Sequence, residues 1–74
     1  MSKTILKVGS VTYAMKARKI LQRKRILSEV VKLNVGDTKR GCSYGIKFGT
    51  DKLYAAVLEL KNNEINYEFY SEKN

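Results

Sequence analysis

The apolar residues of this 74-residue chain recur with two different periods, and the order of those periods strongly limits its fold. Short apolar or alternating runs predict strands, and longer segments with apolar residues three and four apart predict helices. The chain contains both kinds in the order strand, helix, strand, strand, helix, strand. The strands are predicted at 3–8, 29–35, 42–48 and 65–69, and the helices at 10 to about 25 and at 51–62.

Each predicted helix carries one apolar stripe. Ser10 is the expected N-cap of the first helix. The stripe of that helix consists of Ala14, Ala17, Ile20 and Leu21. The second helix is expected to be capped by Gly49-Thr50-Asp51 and to end at Asn62-Asn63. Its apolar residues follow the i, i+3, i+4, i+7 spacing of a buried face, at Leu53, Ala56, Val57 and Leu60.

Two of the predicted strands alternate in polarity, which is typical of strands with one buried face. In the strand at 29–35 the apolar face consists of Val31, Leu33 and Val35. Lys32 and Asn34 lie on the other face. The last strand alternates in the same way, with Ile65, Tyr67 and Phe69 on one face.

This order of elements predicts an α+β domain with the split βαβ, or ferredoxin-like, arrangement β-α-β-β-α-β. Right-handed crossovers would place both helices on one face of a four-stranded antiparallel sheet with strand order 4-1-3-2. We expect a single domain over residues 1–74, because so short a chain is too small for two domains. Residues 1–3 and 71–74 are expected to be frayed.

The residue types that are missing exclude several classes of function. The chain has no histidine and one cysteine, so it lacks a Ser-His or Cys-His nucleophile pair, an imidazole metal ligand and an internal disulfide. We therefore expect no metal, no cofactor and no hydrolase or metalloenzyme chemistry. The sequence shows neither a signal-type apolar core nor an apolar run near the roughly 20 residues of a membrane span. These features predict a soluble cytoplasmic protein without a membrane partner.

Cys42 is the residue best suited to chemistry. In the predicted sheet the third strand runs antiparallel to the first, so the start of strand 3 lies beside the start of helix 1. We expect Cys42 to lie close to Ser10 and to the free backbone amides of Val11 and Thr12. The amides at a helix N-terminus lower the pKa of a nearby thiol, and the thiolate is its reactive form.

The turn around Cys42 is rich in glycine and positive charge, which favours the same anion. Lysine and arginine stabilise a thiolate, and glycine lets backbone amides approach it closely. The turn residues expected to support the anion are Lys39, Arg40, Gly41, Ser43 and Gly45. The alternative is a structural role, because lone cysteines are mostly small, buried hydrophobic residues.

Nearly the whole chain, from Val8 to Tyr70, resembles the selenium/sulfur carrier protein-like family. The similarity lies in a helix that begins with serine and carries an alanine and leucine stripe, and in a later loop with a single cysteine. The two motifs are Ser10-Val11-Thr12-Tyr13-Ala14-Met15-Lys16-Ala17-Arg18-Lys19-Ile20-Leu21 and Gly41-Cys42-Ser43-Tyr44-Gly45-Ile46-Lys47. The family usually has Cys-Gly at the reactive turn and a proline after the second strand, whereas this chain has Cys42-Ser43 and no proline.

The resemblance implies a sulfur or selenium carrier. Cys42 would accept a sulfane sulfur as a persulfide from a donor protein and pass it to an acceptor protein. The net charge of +8 would help such a protein to dock an acidic partner. The donor and the acceptor are the partners that this function requires.

Two other classes of function remain open. The first is a small basic module that binds RNA or another nucleic acid, with Cys42 structural. Its phosphate contacts would come from Lys16, Lys19 and Arg23 on the polar side of helix 1. The tyrosines that could stack on bases are Tyr44, Tyr54, Tyr67 and Tyr70. The second is an adaptor that a partner recognises through an exposed edge of the sheet.

Overall fold

The computed structural model describes residues 2–34 and 42–70, which form a four-stranded sheet and two α-helices. The strands are β1 (Lys3–Gly9), β2 (Ser28–Asn34), β3 (Cys42–Gly49) and β4 (Glu68–Tyr70). The helices are α1 (Val11–Arg23) and α2 (Leu53–Asn62), and a single 3-10 turn over Thr50–Lys52 leads into α2. The predicted α+β class, with four antiparallel strands and two helices, is confirmed.

The sheet has β1 and β3 at its centre and β2 and β4 at its edges, in the order β2-β3-β1-β4. Every neighbouring pair is antiparallel. Leu6 of β1 is aligned with Ile46 of β3 and with Phe69 of β4, and Ile46 is aligned with Val30 of β2. These four residues form one line across a single face of the sheet, because side chains alternate between faces along each strand.

The main core lies between that face of the sheet and the two helices. Its largest fully buried side chains are Leu6, Leu21, Ile46, Phe48 and Leu60. The predicted stripe of α1 is buried along its whole length. In α2, Ala56 and Leu60 are buried, while Leu53 and Val57 pack against the same cluster from its margin. Helical spacing therefore predicted both buried faces correctly.

Helix α1 begins where the sequence predicts it. The hydroxyl of Ser10 accepts a hydrogen bond from the amide of Tyr13 at 3.2 Å, so Ser10 is the N-cap. Gly9 precedes it with a φ of +97°, a backbone conformation that favours glycine. The chain thus turns sharply from β1 into α1 at these two residues.

Both helices end in the same motif, in which a residue other than glycine takes the left-handed conformation. After α1, Arg25 has φ 62° and the amide of Ile26 donates to the carbonyl of Leu21 at 2.9 Å. After α2, Glu64 has φ 60° and the amide of Ile65 donates to the carbonyl of Leu60 at 2.9 Å. These are Schellman motifs, and each places the isoleucine that follows into the core.

These motifs shorten two predicted elements. Helix α1 ends at Arg23 instead of about residue 25, because the left-handed Arg25 cannot continue the helix. Strand β4 begins at Glu68 instead of 65, because the Schellman motif after α2 holds Ile65. Ile65 is buried as predicted, but Phe69 is 65% exposed.

The apolar face of β2 does not point toward the core beneath the helices. Val30 packs against that core, so Val31 and Leu33 lie on the opposite face of the sheet. Leu33 is nevertheless buried, because it covers Gly45 of the neighbouring strand. A Cβ at position 45 would lie 3.0 Å from the Cδ1 atom of Leu33. Val35 lies outside the described residues.

The predicted side-chain cap of the second helix is absent. Neither the 3-10 turn nor α2 has a side-chain hydrogen bond at its N-terminus. The hydroxyl of Thr50 is instead 2.8 Å from that of Thr4, which ties the start of the turn to β1. Thr50 therefore connects two elements of the fold and does not cap a helix.

Residues 2 and 3, which were expected to be frayed, are bonded to the rest of the fold. Lys3 belongs to β1 and is aligned with Gly49, and the carbonyl of Ser2 accepts a hydrogen bond from the amide of Thr50 at 3.1 Å. Residues 1 and 71–74 lie outside the described part of the chain. Within that part, neither helix has the length and apolar character needed to cross a membrane.

Replacing Arg25 by glycine should raise the free energy of unfolding by about 0.5–1 kcal/mol, because glycine adopts positive φ without the clash of a Cβ. The same change at Gln22, inside α1, should lower it by about 1 kcal/mol. Chemical denaturation of the two variants measures both effects. Equal destabilisation by the two substitutions would contradict the left-handed conformation of Arg25.

Candidate functional site

The start of β3 lies beside the turn that leads into α1. Gly9 is aligned with Tyr44, after a register shift between Lys7 and Gly9 of the kind that a β-bulge produces. The hydroxyl of Ser43 donates a hydrogen bond to the carbonyl of Gly9 at 3.1 Å. Ser43 is 8% exposed while Gly9 is exposed, so this bond is partly buried. A partly buried side-chain bond thus joins the segment that carries Cys42 to the residue before the N-cap.

Cys42 is the first residue of β3, and its backbone is aligned with Asn34 at the end of β2. It directly precedes Ser43 in the chain, so its backbone is one residue from the bond to Gly9. The turn residues Lys39, Arg40 and Gly41 lie outside the described residues, and their predicted support of an anion stays a prediction.

The first turn of α1 has unpaired amides, as every helix N-terminus does. Ser10 bonds the amide of Tyr13 through its hydroxyl, and its carbonyl accepts from the amide of Ala14 at 3.0 Å. This leaves the amides of Val11 and Thr12 without acceptors inside the helix, and both residues are exposed. The partial positive charge of the helix N-terminus is therefore directed at the same end of the sheet as the start of β3.

Gly45 has a packing role and does not belong to the turn around Cys42. It is buried inside the sheet, where it is aligned with Lys7 and Val31. A Cβ at this position would lie 2.8 Å from the carbonyl oxygen of Leu6. This distance is shorter than the contacts that real Cβ atoms make. The contact between β1 and β3 therefore requires glycine at position 45. The support of an anion by Gly45 stays a prediction.

The basic side of α1 is exposed, as predicted. Lys16, Lys19 and Arg23 are all accessible to solvent. With Arg18 they are the four cations of the helix, which contains no acidic residue. Lys16 is six residues beyond Ser10, or about 9 Å along the helix axis, so these cations flank the first turn and do not form part of it.

The four tyrosines do not share one surface. Tyr44 and Tyr67 pack against the core, and the ring of Tyr67 meets that of Phe69 edge to face at 6.1 Å. Tyr54 is exposed on α2, while Tyr70 is aligned with Ile5 on the opposite face of the sheet from the helices. The structure therefore does not assemble the predicted stacking platform for bases.

Sequence reasoning missed a groove along the other side of α1. Val11, Met15 and Arg18 form one wall of it, and residues of the edge strand β2 form the other. The signal that could have revealed it is their i, i+4, i+7 spacing, which places them on one side of the helix beside the buried stripe. Val11 and Met15 are apolar but exposed, a combination that the stripe alone does not predict.

A second groove, of about 590 Å³, lies where β1 extends beyond its pairing with β4. Lys7 and Lys61 line it together with Glu64 and Glu68. Its charges are balanced, and the amino group of Lys7 is 3.8 Å from the carboxylate of Glu68. In the part of the chain that the structure describes, no cluster of three or more His, Cys, Asp or Glu residues could hold a metal ion.

Comparison of the chain with models of protein families, with curated proteins and with solved structures finds no match in any of the three. Function must therefore be inferred from the residues of this chain and from the way the fold arranges them.

Replacing Ser10 by alanine should lower the free energy of unfolding by about 1 kcal/mol, because the amide of Tyr13 loses its acceptor. It should also slow the alkylation of Cys42, since the helix amides beside the start of β3 become less well ordered. Ser10→Asn is the matched control, because asparagine caps as well as serine. Lost stability with unchanged alkylation would show that α1 does not influence the thiol.

Proposed function

We propose that this protein is a carrier of sulfane sulfur or selenium, which it holds on Cys42 and passes to an acceptor protein. The observation that carries the proposal is the bond between Ser43 and Gly9, because it fixes the start of β3 beside the N-terminus of α1. A cysteine next to a helix N-terminus is favoured as the thiolate, the form that accepts and donates sulfur.

The topology supports the same proposal. We infer a ferredoxin-like fold, since the observed strand order gives 4-1-3-2 when it is followed from the β4 edge. In that fold the end of strand 1 and the start of strand 3, where Cys42 lies, meet at one end of the sheet, close to the N-terminus of the first helix. The resemblance of residues 10–21 and 41–47 to the selenium/sulfur carrier protein-like family agrees with this placement.

Sulfur transfer at Cys42 requires two exchange steps. In the first, the Cys42 thiolate attacks the outer sulfur of a donor persulfide, an S–S bond forms to Cys42, and the donor thiolate leaves with the electron pair of the broken bond. In the second, an acceptor thiolate attacks the outer sulfur on Cys42 and the Cys42 thiolate leaves. The sulfane sulfur keeps its oxidation state throughout, so neither an oxidant nor a reductant is needed.

Each neighbouring group has a distinct task in this scheme. The amides of Val11 and Thr12 would stabilise the thiolate in the resting protein and whenever it leaves. Lys39 and Arg40 would add positive charge from the turn. The hydroxyl of Ser43 donates to the Gly9 carbonyl, so it positions the start of β3 and is not the donor to sulfur.

The second candidate function is the binding of single-stranded nucleic acid, with a structural cysteine. The observation that favours it is the basic side of α1, where Lys16, Lys19 and Arg23 lie on a helix that contains no acidic residue. The dispersed tyrosines weigh against it, because stacking of bases supplies much of the affinity for single strands.

The pKa of the Cys42 thiol should lie below the roughly 8.5 of a free cysteine, because the helix amides and the basic turn favour the anion. The pH dependence of alkylation in the folded protein measures it, with the urea-unfolded protein as the reference. A pKa at or above that of the unfolded chain would overturn the carrier function.

Incubation with a sulfane-sulfur donor should add about 32 Da, the mass of one sulfur, in a form that a thiol reductant removes. Cys42→Ser should abolish the adduct, while Ser10→Ala should only slow its formation. An adduct that persists in Cys42→Ser would place the sulfur elsewhere and contradict the proposal.

Binding of a single-stranded RNA should be weak, and its affinity should change little with salt. If α1 instead makes about four phosphate contacts, the slope of log K against log salt should be near −3. Reversing the charge of Lys16, Lys19 and Arg23 to glutamate would then abolish binding without changing the alkylation of Cys42. A steep slope that the triple variant removes would establish the nucleic-acid function.

A further inference from the structure

A groove of about 380 Å³ runs between α1 and the edge strand β2. Its lining residues are Val11, Met15, Arg18, Ser28, Glu29 and Val30. The apolar residues in it are accessible, since Val11 is 42% exposed and Met15 is 59% exposed. The groove therefore offers apolar surface to a partner without any movement of the core.

The floor of the groove contains a polar group that lacks a partner. The hydroxyl oxygen of Ser28 is buried and makes no hydrogen bond within the described residues. A buried hydroxyl without a partner is destabilising, because it has lost its hydrogen bonds to water without replacing them. Ser28 is the first residue of β2, so this hydroxyl lies at the open edge of the sheet.

The outer side of β2 has no pairing partner among residues 2–34 and 42–70. Only β3 is aligned with it among the described strands, so alternate amides and carbonyls of β2 point away from the sheet. Its seven residues span about 23 Å. An extended peptide that pairs with this edge would place every second side chain over the groove.

The charges around the groove select an acidic occupant. Arg18 lines it, and the remaining cations of α1 lie on the adjoining side of a helix that has no acidic residue. Glu29 is the one acid in the lining, and it is aligned with Lys47 of β3. A second copy of this chain fits poorly, because pairing of two β2 edges would bring together two α1 helices whose charged residues are all cations, and these would repel each other.

We propose that the groove and the β2 edge bind an extended, acidic segment of a partner protein, which adds to the sheet as a strand beside β2. Its apolar side chains would pack on Val11, Met15 and Val30, and its carboxylates would pair with Arg18. The site is separate from the proposed sulfur chemistry, because Ser28 and Cys42 mark opposite ends of the β2–β3 pairing, about 20 Å apart.

The probe is a fluorescent, end-capped octapeptide of alternating valine and glutamate, titrated into the full chain and followed by anisotropy. Arg18→Glu should weaken its binding about tenfold, whereas Lys61→Glu, the same charge change on α2, should weaken it less than twofold. Met15→Gln should weaken binding severalfold, and Leu58→Gln, on the exposed side of α2, should not. Cys42→Ser should bind as the unmodified chain does, which separates this test from that of the sulfur carrier.

Three further measurements decide the mode of binding and the kind of occupant. A peptide N-methylated at alternate residues should not bind, because it cannot pair with β2; equal binding would overturn strand addition. An equal loss of peptide affinity in Arg18→Glu and Lys61→Glu would show that the peptide is attracted by net charge alone, and it would overturn the site. A dimer in sedimentation that Arg18→Glu strengthens, or tight RNA binding that it abolishes, would assign the groove to a second copy or to nucleic acid and overturn the acidic segment.

Discussion

The pairing of β1 with β3 is the constraint on which the rest of this small fold depends. These two strands occupy the centre of the sheet although some forty residues separate them in the chain. Leu6 and Ile46, aligned across the pair, are both fully buried. The carbonyl of Leu6 also approaches Gly45 so closely that no side chain fits there. Gly45 therefore fixes how closely the two strands meet. Leu33 covers the space beside Gly45 on the face of the sheet away from the helices.

The candidate site follows from the same pairing. The β1–β3 alignment continues to Gly9 and Tyr44, where its register shifts and the chain turns into α1. Ser43 then bonds the carbonyl of Gly9, so the end of one central strand holds the start of the other against a helix N-terminus. Under the proposed function, a thiol in this segment would gain the field of the helix from an arrangement that the core already requires.

Local signals predicted the parts of the fold that depend on local interactions. Ser10 caps α1 as expected, because the cap bond is made within four residues of chain. The apolar stripes of both helices are buried because helical spacing directly determines which residues share a face. The helix ends were harder to predict, since Arg25 and Glu64 take a conformation for which sequence rules expect glycine.

Features that depend on long-range contacts could not be predicted in this way. The alternation in β2 identifies two faces but does not indicate which of them meets the helices. Val31 and Leu33 lie on the face away from the helices, because Gly45 leaves space there. The bond from Ser43 to Gly9 joins residues 34 positions apart, and no local pattern indicates it. The placement of the start of β3 beside the turn into α1 could be predicted only because the strand order was inferred first.

The edge strand β2 connects the two proposed activities in space. Its Ser28 end borders the groove, and its Asn34 end is aligned with Cys42. A partner strand that pairs along all seven residues of β2 would therefore extend from the groove to the level of the cysteine. A single extended contact would thus bring an acceptor thiol near Cys42 and raise the effective concentration of that thiol there. Docking and sulfur transfer would then be coupled without a conformational change.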